Sequence, residues 1–430
     1  MKKKIVIGLS SFQFMAMARR GLFYTFLSIY LRVGLGLSVT STTLLASLTM
    51  IANSASQTFV WGKISDKYQA RTSLIILGEA IAALGYILVY FLHIHLLNTS
   101  GSIAAAYSII AGLSLLEFFW SMSNLGWSAL ISDLTTSKER GNLMSIISSI
   151  GGIGRIVGIT VSGVLYDWGG EAGGFKNGIL FFFASGIMLA STVVLWFGTR
   201  SSEPIHISRR IDQSISKQKP ELKSPDSNMF YWFLTSIFVI GLGTYSILQI
   251  FILYTKLDTP IGATSFDVAL IRNSASIATI VASLLAGFIA DRVGRKGAFC
   301  IGSALTVITP ILYIFAQNVE QMIAINSLSG VSMAFMNVVG YLLASDLIPA
   351  EQRGRLFGQY NAVTYVSFGL AGTFIGGPIA DYMINSGASD AAAYMTTFQV
   401  ASAISLVGTI LFVLKVRSRP SEHDDEKSNS

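Results

Sequence analysis

The chain has 430 residues, of which 52% are hydrophobic and only 12% are charged. Soluble proteins carry about a quarter of their residues as Asp, Glu, Lys and Arg, so this composition excludes an ordinary soluble domain. A net charge of +7 could suggest nucleic-acid binding, but the basic residues fall in short segments between long apolar stretches. The single cysteine, Cys300, excludes an intramolecular disulfide and a cysteine-based metal cluster.

Twelve apolar stretches are long enough to cross a bilayer as helices, which takes about 20 residues each. They are too long and too uniformly apolar for barrel strands, the other way to satisfy backbone groups in lipid. The sequence therefore predicts an all-α integral membrane protein with twelve transmembrane helices. The predicted helices cover residues 5–33, 40–61, 72–94, 102–132, 142–166, 177–198, 229–255, 264–290, 298–316, 321–345, 355–383 and 393–416.

The positive charges predict the topology. Short cytoplasmic loops of membrane proteins carry an excess of Lys and Arg. Here the basic residues fall on alternate loops and near both ends, so the N- and C-termini are expected in the cytoplasm of a cell that carries the protein in its plasma membrane. Residues 1–18 also have the basic start and small-residue end of a signal peptide. Cleavage there would leave too short an apolar segment for the first crossing, so the segment is predicted to stay.

Two motifs occur twice. Segment 62–71 (GKISDKYQAR) recurs 225 positions later as 287–296 (GFIADRVGRK), with the glycine, the aspartate and the basic flank kept. The aspartate and the Arg-Gly pair of segment 133–141 recur 213 positions later in segment 346–354. Such repeats predict two six-helix halves. The predicted domains are 1–198 and 229–416, with a polar cytoplasmic linker at 199–228 and a charged cytoplasmic tail at 417–430.

The pattern G-x-x-x-D-R-x-G-R-K between two membrane helices resembles the signature loop of the major facilitator superfamily, found between its second and third helices and between its eighth and ninth. The first copy departs from it, with Gln69 and Ala70 where the second has Gly and Arg. The resemblance covers nearly the whole chain. It implies two pseudo-symmetric six-helix bundles and secondary transport by alternating access, with no enzymatic activity.

The resemblance also implies a gate, because in the family this loop holds the cytoplasmic side shut. The alternative is that the basic residues of the loops act only as positive-inside anchors. The gate candidates are Gly62, Asp66, Arg71, Asp133, Arg140, Gly287, Asp291, Arg292, Arg295, Asp346 and Arg353.

Ionisable side chains at mid-membrane are costly, and by default they mark a functional site. Arg19 and Arg20 lie near the middle of the first predicted helix and point about 100° apart, so both cannot face one ligand. Arg20 shares its face with Gln13 and Tyr24 and is favoured as the cavity residue. The candidates for substrate binding or coupling are Arg20, Arg19, Glu117, Arg155, Arg272, Asn124, Tyr24 and Gln249.

Two acids differ in their expected roles. Glu117, halfway along the fourth helix, has three interpretations: a proton carrier, a static partner of Arg155, or a pair that opens when substrate or proton arrives. Glu79 is expected about two turns from the cytoplasmic end of the third helix, where its side chain can reach the interface. His93 is expected in an outer loop, 93–102.

Excess arginine in the predicted cavity favours a small organic anion, since guanidinium groups suit carboxylate and phosphate. Efflux of drugs or amphiphiles by proton antiport is the alternative, because Trp120 and Trp127 would suit apolar ligands. A receptor with a transporter-like fold, or a lipid-translocating protein, is the alternative from a different class. The expected partners are a small-molecule substrate, the lipid bilayer and protons as coupling ion. No nucleic acid, cofactor or metal is expected, and the chain is expected to be a monomer.

Overall fold

The structure is a computed structural model that describes residues 3–68, 71–134, 137–199, 227–348 and 353–417. Within these ranges all regular secondary structure is helical. The predicted linker and tail lie almost wholly outside the described residues. The chain divides into two compact units, Met1–Glu221 and Leu222–Ser430.

The first unit contains six long helices, two of which continue through short helical segments. They are α1 (Lys3–Tyr24, continued by Leu27–Ile29 and the π-helical turn Tyr30–Gly34), α2 (Val39–Ser56, continued by the π-helical turn Gln57–Trp61 and by Gly62–Tyr68), α3 (Arg71–Thr99), α4 (Ser102–Leu134), α5 (Ser137–Leu165) and α6 (Ile179–Thr199).

The second unit repeats this arrangement. Its helices are α7 (Ser227–Ser246, continued by Leu248–Thr255), α8 (Ser265–Val293), α9 (Arg295–Phe315), α10 (Val319–Leu347), α11 (Arg353–Ala371, continued by the π-helical turn Gly372–Gly376 and by Gly377–Asn385) and α12 (Asp390–Lys415). The first helix of each unit is interrupted, α1 after Tyr24 and α7 after Ser246, in keeping with the internal repeat in the sequence.

Glycines allow the first and fifth helices of each unit to pack closely. A Cβ atom on Gly154 or Gly158 of α5 would collide with the backbone oxygen of Phe14 or Ala18 in α1. In the second unit, a Cβ atom on Gly376 would collide with the backbone oxygen of Ser246. Small residues at helix contacts let backbones approach, and this packing is a main source of helix association in lipid.

Ten of the described helices are long and apolar enough to cross a membrane by length and composition. The two long helices outside this set are α1, which carries Arg19 and Arg20, and α2, which is rich in Ser, Thr and Asn. A helix with so polar a face is costly against lipid. The polar faces of these two helices are therefore expected to line the interior of the bundle.

Several predicted loops are wrong because the helices extend further than their apolar stretches. Helix α2 continues through Gly62–Tyr68, and only Gly294, with φ of +84°, separates α8 from α9. Glycine takes this positive φ at little steric cost, which explains its place in the motif. Likewise α3 reaches Thr99, so His93 lies within a helix, where its Nε2 atom is 2.7 Å from the hydroxyl of Tyr30.

Candidate substrate site and gate

Arg19 and Arg20 follow one another in α1, but their side chains have different surroundings. The Arg19 side chain is fully buried, and its Nη1 atom donates a hydrogen bond of 2.6 Å to the Tyr86 hydroxyl. Its guanidinium carbon lies 5.2 Å from the centre of the Trp120 ring. The Nε and Nη2 atoms of Arg19 have no hydrogen-bond partner among the described residues. Arg19 is thus a fully buried cation that contacts the aromatic rings of Tyr86 and Trp120, with the acids Glu79 and Glu117 near enough to interact with its charge.

Arg20 is partly buried and lines a cavity of about 90 Å³ in the first unit. Its guanidinium carbon stands 4.6 Å from the centre of the Trp120 ring, within cation–π distance. The walls combine aromatic and polar side chains from α1, α3 and α4. They are formed by Phe12, Gln13, Ala16, Met17, Arg20, Glu79, Trp120, Ser123, Asn124 and Trp127.

Glu79 of α3 is buried inside this site, not directed to the interface as the sequence suggested. Its Oε1 atom accepts two hydrogen bonds of 2.7 Å, from Trp120 Nε1 and from the Ser123 hydroxyl. The neighbouring Gly78 allows this, because a Cβ atom there would lie 2.7 Å from the backbone nitrogen of Ser123. The sequence feature that could have predicted this burial is a glycine next to an acidic residue in an otherwise apolar helix.

Glu117 of α4 is also buried, and neutral donors from two other helices hold it. The Tyr24 hydroxyl donates to Glu117 Oε1 at 3.1 Å, and Asn53 Nδ2 donates to Oε2 at 2.9 Å. Gln57 in turn donates to Asn53 Oδ1 at 2.6 Å. The static pair with Arg155, one of the three interpretations of Glu117, is absent among the described residues, and the Arg155 side chain is exposed on α5. Sequence reasoning missed Asn53, which lies in a predicted helix that has many Ser and Thr residues but no charged residue to mark a site.

The remaining candidates of this group lie elsewhere. Asn124 lines the cavity beside Trp120. Arg272 is half-buried in α8 of the second unit. Gln249 lies in the second segment of α7, just after the interruption, and its buried Oε1 atom has no partner among the described side chains and backbone groups.

In the second unit, one pair of gate candidates is in contact. Arg295, the first residue of α9, forms an ion pair with Asp346 near the end of α10, and its Nη1 atom also lies 3.4 Å from the backbone oxygen of Leu342. Arg292 stacks on the Phe288 ring at 4.2 Å, whereas Asp291 is exposed at the end of α8.

The other gate candidates have fewer described contacts. Gly62 packs against its own helix, where a Cβ atom would lie 2.8 Å from the backbone oxygen of Gln57, and a Cβ atom on Gly287 would meet open space. The side chains of the remaining candidates lie outside the described part of the chain. These are Asp66, Arg71, Asp133, Arg140 and Arg353.

The helical units, with buried ionisable groups and a polar cavity between helices, define an integral membrane protein of the transporter class. The family model described as "Major Facilitator Superfamily" matches residues 9–271 and 256–430. The chain therefore belongs to the major facilitator superfamily, and it is a multi-pass membrane transporter rather than an enzyme.

Relatives that are named for different activities share this similarity. The chain is 22% identical over 395 residues to the "Multi-drug resistance efflux pump PmrA homolog" of Lactococcus lactis, covering 90% of this chain and 87% of that protein. It is 30% identical over 138 residues to the "Inner membrane metabolite transport protein YgcS" of Escherichia coli, covering 32% of this chain and 29% of that protein. The crystal structure of the nucleoside transporter NupG matches with a TM-score of 0.71 and 16% identity, covering 97% of this chain and all of the other. This last likeness concerns the fold alone.

Proposed function

We propose that this transporter carries a small organic anion, bound at the first-unit cavity through Arg20. The observation that carries the proposal is the distribution of charge. Arg20, which is partly buried, forms no ion pair with a carboxylate among the described residues. Glu117, in contrast, has both oxygens occupied by neutral donors. A buried or half-buried cation without a counter-ion is costly, and an anionic ligand would supply that counter-ion.

The stacking of Arg20 on Trp120 supports this role. A guanidinium group can place its flat face against an aromatic ring while its N–H groups stay at the edge, where they match the two oxygens of a carboxylate or phosphate. Trp120 therefore holds the cation in place without neutralising its charge.

The aromatic walls favour a ligand with a planar apolar body, and they support efflux of amphiphiles as a second candidate function. The rings of Phe12 and Trp127 lie 4.9 Å apart at the edge of the cavity. The relative that matches 90% of the chain is called a multidrug efflux pump. An amphiphilic anion would satisfy both the arginine and the rings.

Transport would follow alternating access by movement of the domains 1–198 and 229–416. In this proposal both termini are cytoplasmic, the chain acts as a monomer, and the repeated motifs that contain Arg295 and Asp346 close the cytoplasmic side. Glu117 would carry the coupling proton, because its hydrogen-bond donors come from α1 and α2, whose movement would break these hydrogen bonds.

A matched ligand series on purified protein tests the proposal. Hydrocinnamate, hydrocinnamyl alcohol and phenethylamine share a phenyl ring and differ in charge. A ligand raises the melting temperature according to its concentration relative to Kd. We expect hydrocinnamate alone to raise it and Arg20→Gln to weaken the effect at least tenfold. Arg417→Gln, which alters an exposed arginine, is the control. Equal shifts by all three compounds, unaffected by Arg20→Gln, would instead support general amphiphile efflux.

A further inference from the structure

We propose that Arg20 and Glu79 are the two charged ends of one zwitterion site. Arg20 would take the carboxylate of the ligand, and Glu79 would take its ammonium group. This inference rests on the proposed anion-binding role of Arg20 and narrows the substrate class to molecules that carry both charges, such as amino acids with an aromatic body.

The first support is that both charged side chains line one cavity but form no ion pair with each other. Arg20 on α1 and Glu79 on α3 line the same cavity of about 90 Å³. No ion pair within 4.0 Å links them among the described residues. Opposite charges in one cavity that do not neutralise each other can each pair with the opposite charge of a ligand.

The second support is the way in which Glu79 is bound. Both of its donors, Trp120 Nε1 and the Ser123 hydroxyl, approach the Oε1 atom. The Oε2 atom accepts no hydrogen bond from the described residues. It is also not among the fully enclosed polar atoms that lack a partner, so it keeps some accessible surface. An ionised carboxylate offers about four acceptor positions. One oxygen therefore anchors Glu79 while the other is left for the cavity.

Trp120 fixes the separation of the two charges. Its ring supports the guanidinium of Arg20 at 4.6 Å, and its Nε1 atom holds Glu79 Oε1 at 2.7 Å. A single rigid side chain thus positions both charged groups. Trp120 would act as a positioning residue for recognition of the ligand.

The volume of the cavity limits which part of the ligand can lie between Arg20 and Glu79. An engineered cavity of about 150 Å³ is large enough for a benzene ring. The present cavity is smaller, so it suits the ammonium and carboxylate of a compact head group. The aromatic body of the ligand would then lie against Phe12 and Trp127 at the wall.

The test compares hydrocinnamate and phenethylamine with phenylalanine, β-phenyl-β-alanine and phenibut. Phenylalanine is hydrocinnamate with an added ammonium group, and the other two amino acids separate their charges by one and two further carbons. Melting temperatures across ligand titrations give each Kd. We expect at least one of the three amino acids to bind at least tenfold more tightly than hydrocinnamate. If none of the three amino acids binds more tightly than hydrocinnamate, the zwitterion site is wrong.

The variants separate the roles of the two ends. Glu79→Gln should weaken the preferred amino acid at least tenfold relative to hydrocinnamate, because hydrocinnamate has no ammonium group for Glu79 to bind. Arg20→Gln should weaken both ligands. Glu320→Gln, which changes an exposed acid in the second unit, should alter neither. If Glu79→Gln does not fold, Trp120→Phe tests the same point, because it keeps the ring under Arg20 and removes the donor to Glu79.

The binding measurements distinguish a failure of the zwitterion proposal from a failure of the anion proposal. If Glu79→Gln affects hydrocinnamate and the amino acid equally, the zwitterion site is wrong and the anion site stands. If phenethylamine binds most tightly and only Glu79→Gln removes it, Glu79 is a plain cation site and both proposals are wrong. If neither hydrocinnamate nor any amino acid binds in wild type, the anion proposal itself fails.

Discussion

The Tyr24 hydroxyl donates a hydrogen bond of 3.1 Å to Glu117 Oε1, immediately before the interruption of α1. Asn53 of α2 holds the other oxygen at 2.9 Å. Separation of α1 or α2 from α4 would break one of these hydrogen bonds and change how the carboxylate is held. This relationship would couple proton binding to movement of the helices.

Glu117→Gln should remove the dependence of transport on a proton gradient. The amide is close in shape but cannot carry the proton, so exchange of substrate across the membrane should continue without acceleration by the gradient. Transport into proteoliposomes with and without a pH gradient measures this effect. Glu320→Gln is the matched control on an exposed acid. The same dependence on the gradient in Glu117→Gln and wild type would show that Glu117 is not the carrier.

Asp346→Asn should lower transport several-fold without reducing expression. The Arg295–Asp346 ion pair has side chains that are 37% and 38% exposed, so it contributes at most about 1 kcal/mol to folding. Its proposed role is to close the cytoplasmic side. The charge exchange Arg295→Asp with Asp346→Arg should restore part of the transport, whereas Asp258→Asn in an exposed loop should have no effect. Wild-type transport rates in Asp346→Asn would remove this pair from the gate.

Tyr86→Phe should destabilise the first unit by about 1–3 kcal/mol, because the buried Arg19 loses the acceptor of its described hydrogen bond. Melting temperature in detergent measures the loss. Tyr107→Phe is the control, since the Tyr107 hydroxyl makes its 2.9 Å contact with Ser41 at an exposed position. Binding of hydrocinnamate by the folded Tyr86→Phe protein should stay intact. A large loss of affinity at unchanged stability would instead assign Arg19 to the ligand.

Gly158→Ala should destabilise the protein by about 1–3 kcal/mol, the usual cost of adding an atom to a tightly packed contact. The new Cβ atom would collide with the backbone oxygen of Ala18, and backbone cannot move aside as a flexible side chain can. Gly358→Ala adds the same atom where the structure has open space, and should be neutral or slightly stabilising. Equal melting temperatures for the two variants would contradict the close packing of α1 and α5.

Much of the fold was predictable because burial in lipid imposes long apolar stretches, and the repeated motifs reveal two halves. The ends of the helices were not predictable, because hydropathy locates the part of a helix that lies in lipid and not the residue at which its backbone hydrogen bonds end. For this reason His93 was assigned to a loop although α3 continues to Thr99. The predicted loop around Gly294 likewise proved to be one residue.

The candidate site was predictable only where a charge interrupts an apolar helix. This signal pointed to Arg20 and to Glu117. The expectation that the Glu79 side chain reaches the interface was wrong, because the close approach of α3 and α4 at Gly78 lets it hydrogen-bond to Trp120 and Ser123 instead. Of the two neutral partners of Glu117, Tyr24 was among the predicted site residues, whereas Asn53 could not be foreseen because it comes from a helix distant in sequence.

The most direct test of the account is counterflow in proteoliposomes, with labelled hydrocinnamate outside and unlabelled hydrocinnamate inside. The account predicts transient accumulation of the label in wild type, at least tenfold less in Arg20→Gln, and no change in Arg417→Gln. Binding of hydrocinnamate without any exchange would indicate a receptor rather than a carrier of this anion. Exchange that is equally fast in Arg20→Gln would contradict the central claim that Arg20 binds the transported solute.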